Sequence, residues 1–279
     1  MYKEITLEDI IQYALNNYSI ADVIIRLILG VIIGFCLGLT GVGGGVLIIP
    51  LLQITFGMQA VMAVGTASII TSLIKISATL SHIRNNNVSW KIVFFTLIGA
   101  VPATIITSYF IVNLANDIAY KEITNDLVEI AVISIMFCAL FSLLYQYKRN
   151  RISVTNPTVT VQPHQAKVVG IGVVCGSILG STGIGGGVLL LPALNSILKM
   201  SIKRSVGSSI VIALVLSSIS ALFYSGGGQS DLLTAIIIVL GSFIGVPIAM
   251  KAMRLFSDQA IYLVTISVIA ISLMIVFYI

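Results

Sequence analysis

The stretch LGLTGVGGGVLIIP, from Leu37 to Pro50, breaks an apolar segment with a cluster of glycines, and it occurs twice in the chain. The second copy, LGSTGIGGGVLLLP, runs from Leu179 to Pro192. Of the 16 positions from Leu37 to Leu52, 11 are identical to their counterparts from Leu179 to Leu194. The separation between Leu37 and Leu179, called the repeat offset below, is constant along the motif. It predicts that the chain consists of two related halves, each with one glycine-rich break.

The composition around the two breaks indicates a polytopic membrane protein. Of the 279 residues, 58% are hydrophobic and only 9% are charged, whereas soluble domains carry about 25% charged residues. The mean hydropathy is +1.10. The formal net charge of +5 is concentrated in the loops between apolar segments, so it reports membrane topology rather than nucleic-acid binding.

Ten apolar stretches follow the N-terminal segment 1–19, and two of them are shorter than the roughly 20 residues that a full crossing needs. Each short stretch is joined to its predecessor at a glycine-rich break. The sequence therefore predicts an all-α integral membrane protein with two inverted repeats, each a glycine-rich helical hairpin followed by three transmembrane helices. Whether the hairpins cross fully stays open. The stretches are 20–40, 43–56, 60–81, 92–114, 127–147, 167–182, 185–198, 205–225, 232–250 and 260–279.

The same pattern predicts the domain organisation. Apolar positions at helical spacing before residue 19 indicate an amphipathic helix lying on the membrane surface. A polar, proline-containing segment separates the halves. The predicted units are an interfacial helix at 1–19, a first membrane repeat at 20–147, a cytoplasmic linker at 148–166 and a second membrane repeat at 167–279.

The basic residues predict the orientation. Four loops, 82–91, 148–167, 199–204 and 251–259, hold 11 of the 15 basic residues and a single acid, Asp258. Short loops rich in Lys and Arg stay in the cytoplasm. We therefore expect a multi-pass protein of the cytoplasmic membrane with both termini outside and loop 148–166 inside.

Glycine clusters leave backbone amides uncovered, and a helix that starts just after them presents free N–H groups and the positive end of its dipole. Such a terminus binds anions without a basic side chain. Helices are expected to start at Val46 and Val188. The alternative is close helix packing through small residues, which favours a four-residue spacing. The predicted substrate-binding residues are Thr40, Gly41, Gly43, Gly44, Gly45, Gln53, Lys75, Ser181, Thr182, Gly183, Gly185, Gly186, Gly187 and Asn195.

Three polar positions in that set leave two interpretations open. Gln53 and Asn195 occupy equivalent places in the two halves. They either contact a ligand or form interhelical hydrogen bonds. Lys75 lies inside an apolar span, where ionisable residues are functional candidates, but its ammonium group could also snorkel towards the membrane surface. Arg26, near the other surface, is expected to snorkel.

Catalytic and metal-binding motifs are missing from the sequence. No Asp or Glu lies deep in an apolar stretch, which argues against a carboxylate proton relay or a carboxylate Na⁺ site. There is no HExxH, CxxC, GxSxG or Walker loop with lysine. We therefore expect neither an enzyme nor a bound metal or cofactor.

At its paired glycine-rich hairpins the chain resembles the TauE/SafE, or sulfite exporter, family of membrane transporters. The resemblance covers about residues 25–275, and the matching positions are the two glycine-rich tips and the prolines that follow them, Pro50 and Pro192. It implies transport of a sulfur-containing anion such as sulfite, thiosulfate or an organosulfonate.

The function predicted from the residues and the resemblance together is export of such an anion by alternating access. The expected partners are the small anionic substrate and the lipid bilayer, without nucleic acid, and a homodimer is a possible assembly. The alternatives are an organosulfonate uptake permease of the same fold, an anion channel, and an assembly subunit that transports nothing.

Overall fold

Helices account for nearly all of the chain that the structure describes. The structure, a computed structural model, describes residues 19–40, 45–150, 165–184, 189–190, 193–194, 198, 200, 202–253 and 258–278. The helices within them are α1 (Ile20–Thr40), α2 (Gly45–Phe56), α3 (Ala60–Arg84), α4 (Trp90–Asn116), α5 (Lys121–Asn150), α6 (Gln165–Thr182), α7 (Ile202–Gly226), α8 (Leu232–Met253) and α9 (Asp258–Tyr278).

These helices confirm the predicted all-α membrane fold. In the described ranges, seven helices are long and apolar enough to cross a membrane. Helix α2 has 12 residues and measures about 18 Å, which is shorter than the roughly 30 Å hydrocarbon layer, so it does not cross on its own. Most of the predicted stretch at 185–198, and all of the predicted surface helix at 1–19 except Ser19, lie outside the described residues.

The helix boundaries follow the repeat offset seen in the sequence. Helix α7 is displaced from α3 by this offset at both of its ends, and the start of α8 is displaced from the start of α4 in the same way. The turns between the helices repeat as well, because the amide of Ser89 donates to Ser208 Oγ at 2.9 Å and the amide of Asp231 donates to Thr66 Oγ1 at 2.9 Å. Ser89 corresponds to Asp231, and Thr66 corresponds to Ser208, at the repeat offset.

Helices α3 and α7 form the centre of the molecule and run antiparallel. Gly65, near the start of α3, packs against Tyr224 near the end of α7. Gly207, near the start of α7, packs against Asn87 just beyond the end of α3. Of the candidate membrane spans in the described residues, these two are the most buried.

Glycines at four-residue spacing join the two halves. Gly30, Gly34 and Gly38 of α1 face α8, and a Cβ built at Gly34 would lie 2.7 Å from the Cα of Ser242. Since a real Cβ needs more room than this, only glycine lets the two backbones approach so closely. The equivalent residues of α6, Gly172, Gly176 and Gly180, pack on α4 in the same way. The first helix of each half therefore packs against the other half, and the two repeats interleave.

Candidate functional site

The second glycine-rich stretch ends a helix next to α3. Helix α6 stops at Thr182, and Gly183 follows with φ = +63°, a left-handed conformation that suits glycine. A Cβ on Gly183 would lie 3.2 Å from Ser68 Oγ and 3.2 Å from the carbonyl oxygen of Val64. Ser68 is eight residues into α3, about 12 Å from the first residue of that helix. The break therefore lies inside the apolar layer.

The first glycine-rich stretch also separates two helices. Helix α1 ends at Thr40 and α2 starts at Gly45, one residue before the predicted start at Val46. The amides of the first turn of α2 have no partner within the helix, so this end is a potential anion-binding terminus. Residues 41–44 between the two helices lie outside the described part of the chain.

Four buried hydroxyl groups surround the carboxyl end of α6. Tyr224 Oη and Ser108 Oγ both donate to the carbonyl oxygen of Gly180, each at 3.0 Å. Ser220 Oγ lies 3.4 Å from Ser68 Oγ and 3.5 Å from Ser108 Oγ. All four side chains are 0% exposed. Because the last carbonyls of a helix have no partner within it, the hydroxyls of Tyr224 and Ser108 satisfy a helix end that is buried in the membrane. Ser68 Oγ donates instead to the carbonyl of Val64 in its own helix, at 2.8 Å.

Replacing Tyr224 with phenylalanine tests this bond. The substitution keeps the ring and removes one of the two donors to Gly180, so we expect the free energy of unfolding to fall by about 1 kcal/mol. For a protein of this size that corresponds to a Tm about 2–4 °C lower, measurable on the purified protein in detergent.

The control for this substitution is Tyr109→Phe. Tyr109 lies on α4, is exposed, and packs its ring edge-on against Phe223 at 6.5 Å between centroids. Loss of its hydroxyl should leave Tm unchanged. Equal shifts in the two variants would contradict a specific role for the Tyr224 hydroxyl.

The hydroxyls predicted to bind substrate at the second break are occupied in this structure. Ser181 Oγ donates to the carbonyl of Ser177 at 3.0 Å, and Thr182 Oγ1 donates to that of Ile178 at 2.6 Å. Thr182 Oγ1 also accepts the amide of Ile184 at 3.3 Å. Both side chains close the end of α6, so a ligand would have to displace these bonds.

Of the remaining predicted site residues, the structure describes Gln53 and Lys75, and it does not place Lys75 at the break. Gln53 is buried in α2, with 8% of its surface exposed. Lys75 is half-buried on α3, seven residues and about 10 Å further along the helix than Ser68. It is therefore not beside Gly183. The structure does not describe Gly41, Gly43, Gly44, Gly185, Gly186, Gly187, Asn195 or the side chain of Thr40.

The sequence reasoning missed Ser108, Ser220 and Tyr224. None of the three belongs to a recognisable motif, and their counterparts at the repeat offset are Met250, Ala78 and His82. The repeat therefore gave no signal for them. Only the packing of α4 and α7 on α6 brings them to the break.

The expectation for Arg26 was wrong. It does not snorkel but is buried, with 6% of its surface exposed. Its Nε donates to Thr234 Oγ1 at 2.8 Å, and its guanidinium lies 4.3 Å from the centroid of the Phe56 ring. Thr234 in turn donates to Asp231 Oδ2 at 2.6 Å. The cation is held by α8 and by the end of α2, since partners within the protein replace water.

Comparison with known proteins agrees with this architecture. The sequence profile of the family described as sulfite exporter TauE/SafE matches residues 26–276. The chain is 29% identical to the probable membrane transporter protein YjnA of Bacillus subtilis over 248 residues, which cover 88% of this chain and 96% of YjnA. It is 26% identical to YunE of the same organism, also called a probable membrane transporter protein, covering 80% and 85% of the two chains.

A more distant relative is the probable membrane transporter protein MJ0441 of Methanocaldococcus jannaschii, 26% identical over 70% of this chain and 69% of the relative. No solved structure matches the chain significantly. The fold, the membrane spans and these relatives define the class as a multi-pass membrane transporter. Because the profile spans nearly the whole chain, this protein belongs to the sulfite exporter TauE/SafE family.

Proposed function

We propose that this transporter exports a small sulfur-containing anion, such as sulfite, thiosulfate or an organosulfonate, across the cytoplasmic membrane by alternating access. The observation that carries the proposal is the helix break at Gly183, which is buried in the membrane next to α3 and stabilised by hydroxyls from α4 and α7. Broken helices in a membrane occur where the backbone is covered by protein or lines a cavity, and in transporters such breaks form the substrate site.

The inverted relation of the two repeats is part of this proposal. The antiparallel packing of α3 and α7, helices that correspond at the repeat offset, supports it. So do the paired bonds of Ser89 with Ser208 and of Asp231 with Thr66. Two repeats of opposite direction would place both glycine-rich breaks near the middle of the membrane, where rocking of one half against the other exposes them alternately.

The substrate would be bound mainly by backbone amides. The first turn of α2, just after the glycine cluster that ends at Gly45, offers N–H groups that have no partner within the helix. The equivalent glycines at 185–187 would supply the second set. Oxyanions suit such a site because amides and hydroxyls replace their hydration with hydrogen bonds. Gln53 and Asn195, one on each hairpin, would complete the site.

Export fits the charge of such a substrate. A membrane potential that is negative inside favours exit of an anion by about 2.3 kcal/mol per charge per 100 mV. Export could then proceed without a coupling ion, in keeping with the lack of Asp and Glu deep in the apolar stretches. The positive loops support a linker 148–166 in the cytoplasm and both termini outside.

A flux experiment tests the proposal. Purified protein in liposomes should release trapped sulfite, thiosulfate or sulfoacetate when the potential is made negative inside, and the rate should saturate with substrate concentration. Counterflow exchange would identify a carrier, whereas currents at channel rates without exchange would indicate an anion channel. Uptake that exceeds release under equal gradients would favour the permease, and absence of flux for all three anions would refute the assignment.

A further inference from the structure

We propose that one face of α3 lines the path between the glycine-rich breaks and the membrane surface at which α3 ends, with Lys75 as the anion-binding residue midway along it. This inference rests on the proposed function, since it assigns the route of the transported anion. It is carried by buried polar atoms of α3 that have no partner.

Six of the polar residues of α3 share one face, while Thr66, Ser77 and Ser81 lie outside it. At about 100° per residue, six positions from Ser68 to His82 fall within an arc of about 100°, whereas the exposed apolar residues Leu73, Ile76 and Leu80 lie outside that arc. Ser68 packs against the break at Gly183, and His82 lies in the last turn of the helix, about 21 Å away. The six polar residues are Ser68, Thr71, Ser72, Lys75, Thr79 and His82.

Two threonines on this face, Thr71 and Thr79, differ in their hydrogen bonding from other threonines in the described helices. In a membrane helix, threonine normally donates to the carbonyl four residues earlier. Thr71 and Thr79 do not, although they are only 2% and 6% exposed, and neither hydroxyl has a hydrogen-bond partner. The threonines that do form this bond are Thr66, Thr96, Thr107, Thr124 and Thr182.

Unpartnered polar atoms in the described residues concentrate in this region. There are four buried side-chain atoms without a partner, and besides the two threonine hydroxyls they are His82 Nδ1 and Ser205 Oγ. Ser205 is near the start of α7, which packs at the end of α3 because Gly207 lies against Asn87. Lys75 has no ion pair or hydrogen bond with any described residue. A buried polar group without a partner is costly, so the four buried atoms call for a ligand.

The corresponding face of α7 shows that the fold itself does not require unpartnered polar groups at these positions. At the repeat offset, Thr71 and Thr79 correspond to the buried alanines Ala213 and Ala221. Ser217, the counterpart of Lys75, donates to the carbonyl of Leu214 at 3.2 Å. Tyr224, the counterpart of His82, donates to Gly180. The α7 face is satisfied within the protein, and only the α3 face is not.

These groups fit a small anion with several acceptor oxygens. Lys75 supplies a positive charge and three N–H donors, and the hydroxyls of Thr71 and Thr79 lie one turn to either side of it. Sulfonate and sulfite oxygens accept such donors, and no carboxylate of the described residues lies on this face of α3 to repel them. Because the threonines are covered in this structure, the face opens only during the transport cycle.

Cysteine labelling tests the path without depending on the substrate. The experiment uses full-length protein whose native cysteines Cys36, Cys138 and Cys175 are replaced by serine. In this background, Thr71→Cys and Thr79→Cys should react with the anionic reagent sulfonatoethyl methanethiosulfonate. The reagent is added at the membrane surface at which α3 ends, which is also the side of the linker 148–166. The cationic trimethylammonioethyl reagent should react at least about tenfold more slowly, because Lys75 attracts anions. Adding Lys75→Gln should abolish this difference.

The matched control is Thr96→Cys. Thr96 is 0% exposed on α4, and its hydroxyl donates to the carbonyl of Ile92, so it should react with neither reagent. Failure of both α3 cysteines to react in protein that still transports a sulfur anion would overturn the path and leave the proposed function standing. Equal reactivity towards the two reagents with Lys75 present would overturn the role of Lys75.

Flux measurements separate the remaining outcomes. Lys75→Gln should lower the rate of anion flux at least about tenfold, since it removes a charged donor, and Thr96→Val should leave flux unchanged. Charge-selective labelling in a protein that moves no sulfur anion would support the path and refute the proposed substrate. Unchanged flux in Lys75→Gln would refute the anion-binding role of Lys75.

Discussion

Replacing Gly172 with alanine is expected to lower the free energy of unfolding by about 1–3 kcal/mol, whereas the same change at Gly170 should be neutral or stabilise by up to about 1 kcal/mol. Both glycines lie in α6, two positions apart. A Cβ at Gly172 would meet the backbone of α4, at 3.1 Å from the amide nitrogen of Ala100 and closer still to the carbonyl of Thr96. A Cβ at Gly170 would meet nothing within 4 Å.

The contrast follows from what the new methyl group would touch. Backbone atoms of a packed helix cannot rotate away as a flexible side chain can, so α6 and α4 must separate along their length. Gly176 contacts the same stretch of α4, and the shift would weaken that contact as well. Gly170 gains only the higher helix propensity of alanine.

Thermal unfolding of the purified variants in detergent measures the difference. For a protein of this size, a loss of about 1–3 kcal/mol lowers Tm by several degrees. Gly172→Leu should not accumulate as a monodisperse protein, and Gly170→Leu should. Equal Tm values for the two alanine variants would mean that α6 and α4 pack less closely than described.

Replacing Gly183 with alanine is expected to reduce anion flux by about tenfold or more, since small displacements of a binding site are costly for its activity. The residue has φ = +63°, and alanine in this conformation costs about 1–2 kcal/mol. Its Cβ would also press on Ser68 Oγ and the carbonyl of Val64, each at 3.2 Å. The end of α6 would move away from α3, and the hydroxyls that hold Gly180 would lose their geometry.

Gly57→Ala separates the two effects. Gly57 has nearly the same backbone angle, φ = +62°, but a Cβ there would meet nothing within 4 Å. Both variants should therefore lose similar stability from backbone strain, and only Gly183→Ala should lose flux. If Gly57→Ala loses flux to the same extent, strain rather than the position of the break explains the effect.

The fold could largely be predicted from the sequence. Long apolar stretches in a chain with few charges require helices, because every backbone group in lipid must be bonded within its own segment. Identities at a fixed offset then gave the correspondence of α3 with α7 and of α4 with α8, which the helix boundaries reproduce. The short length of α2 was also visible, as a stretch too short to cross.

The polar surroundings of the second break could not be predicted in this way. Ser108, Ser220 and Tyr224 belong to no sequence motif, and the repeat does not place matching hydroxyls in the other half. Their common target, the end of α6, exists only once α4 and α7 pack on it. Arg26 was misjudged for a similar reason, because its partner Thr234 lies in the other half of the chain.

By itself, then, the sequence determined the membrane class, the two repeats and the place of the breaks, since these depend on apolar length and on the freedom of glycine at particular positions. Only the tertiary structure decided which glycines pack helices together and which end a helix. It also decided which hydroxyls are satisfied by the protein and which, at Thr71 and Thr79, are left without a partner. Those properties depend on contacts between residues far apart in the chain, which local pattern does not encode.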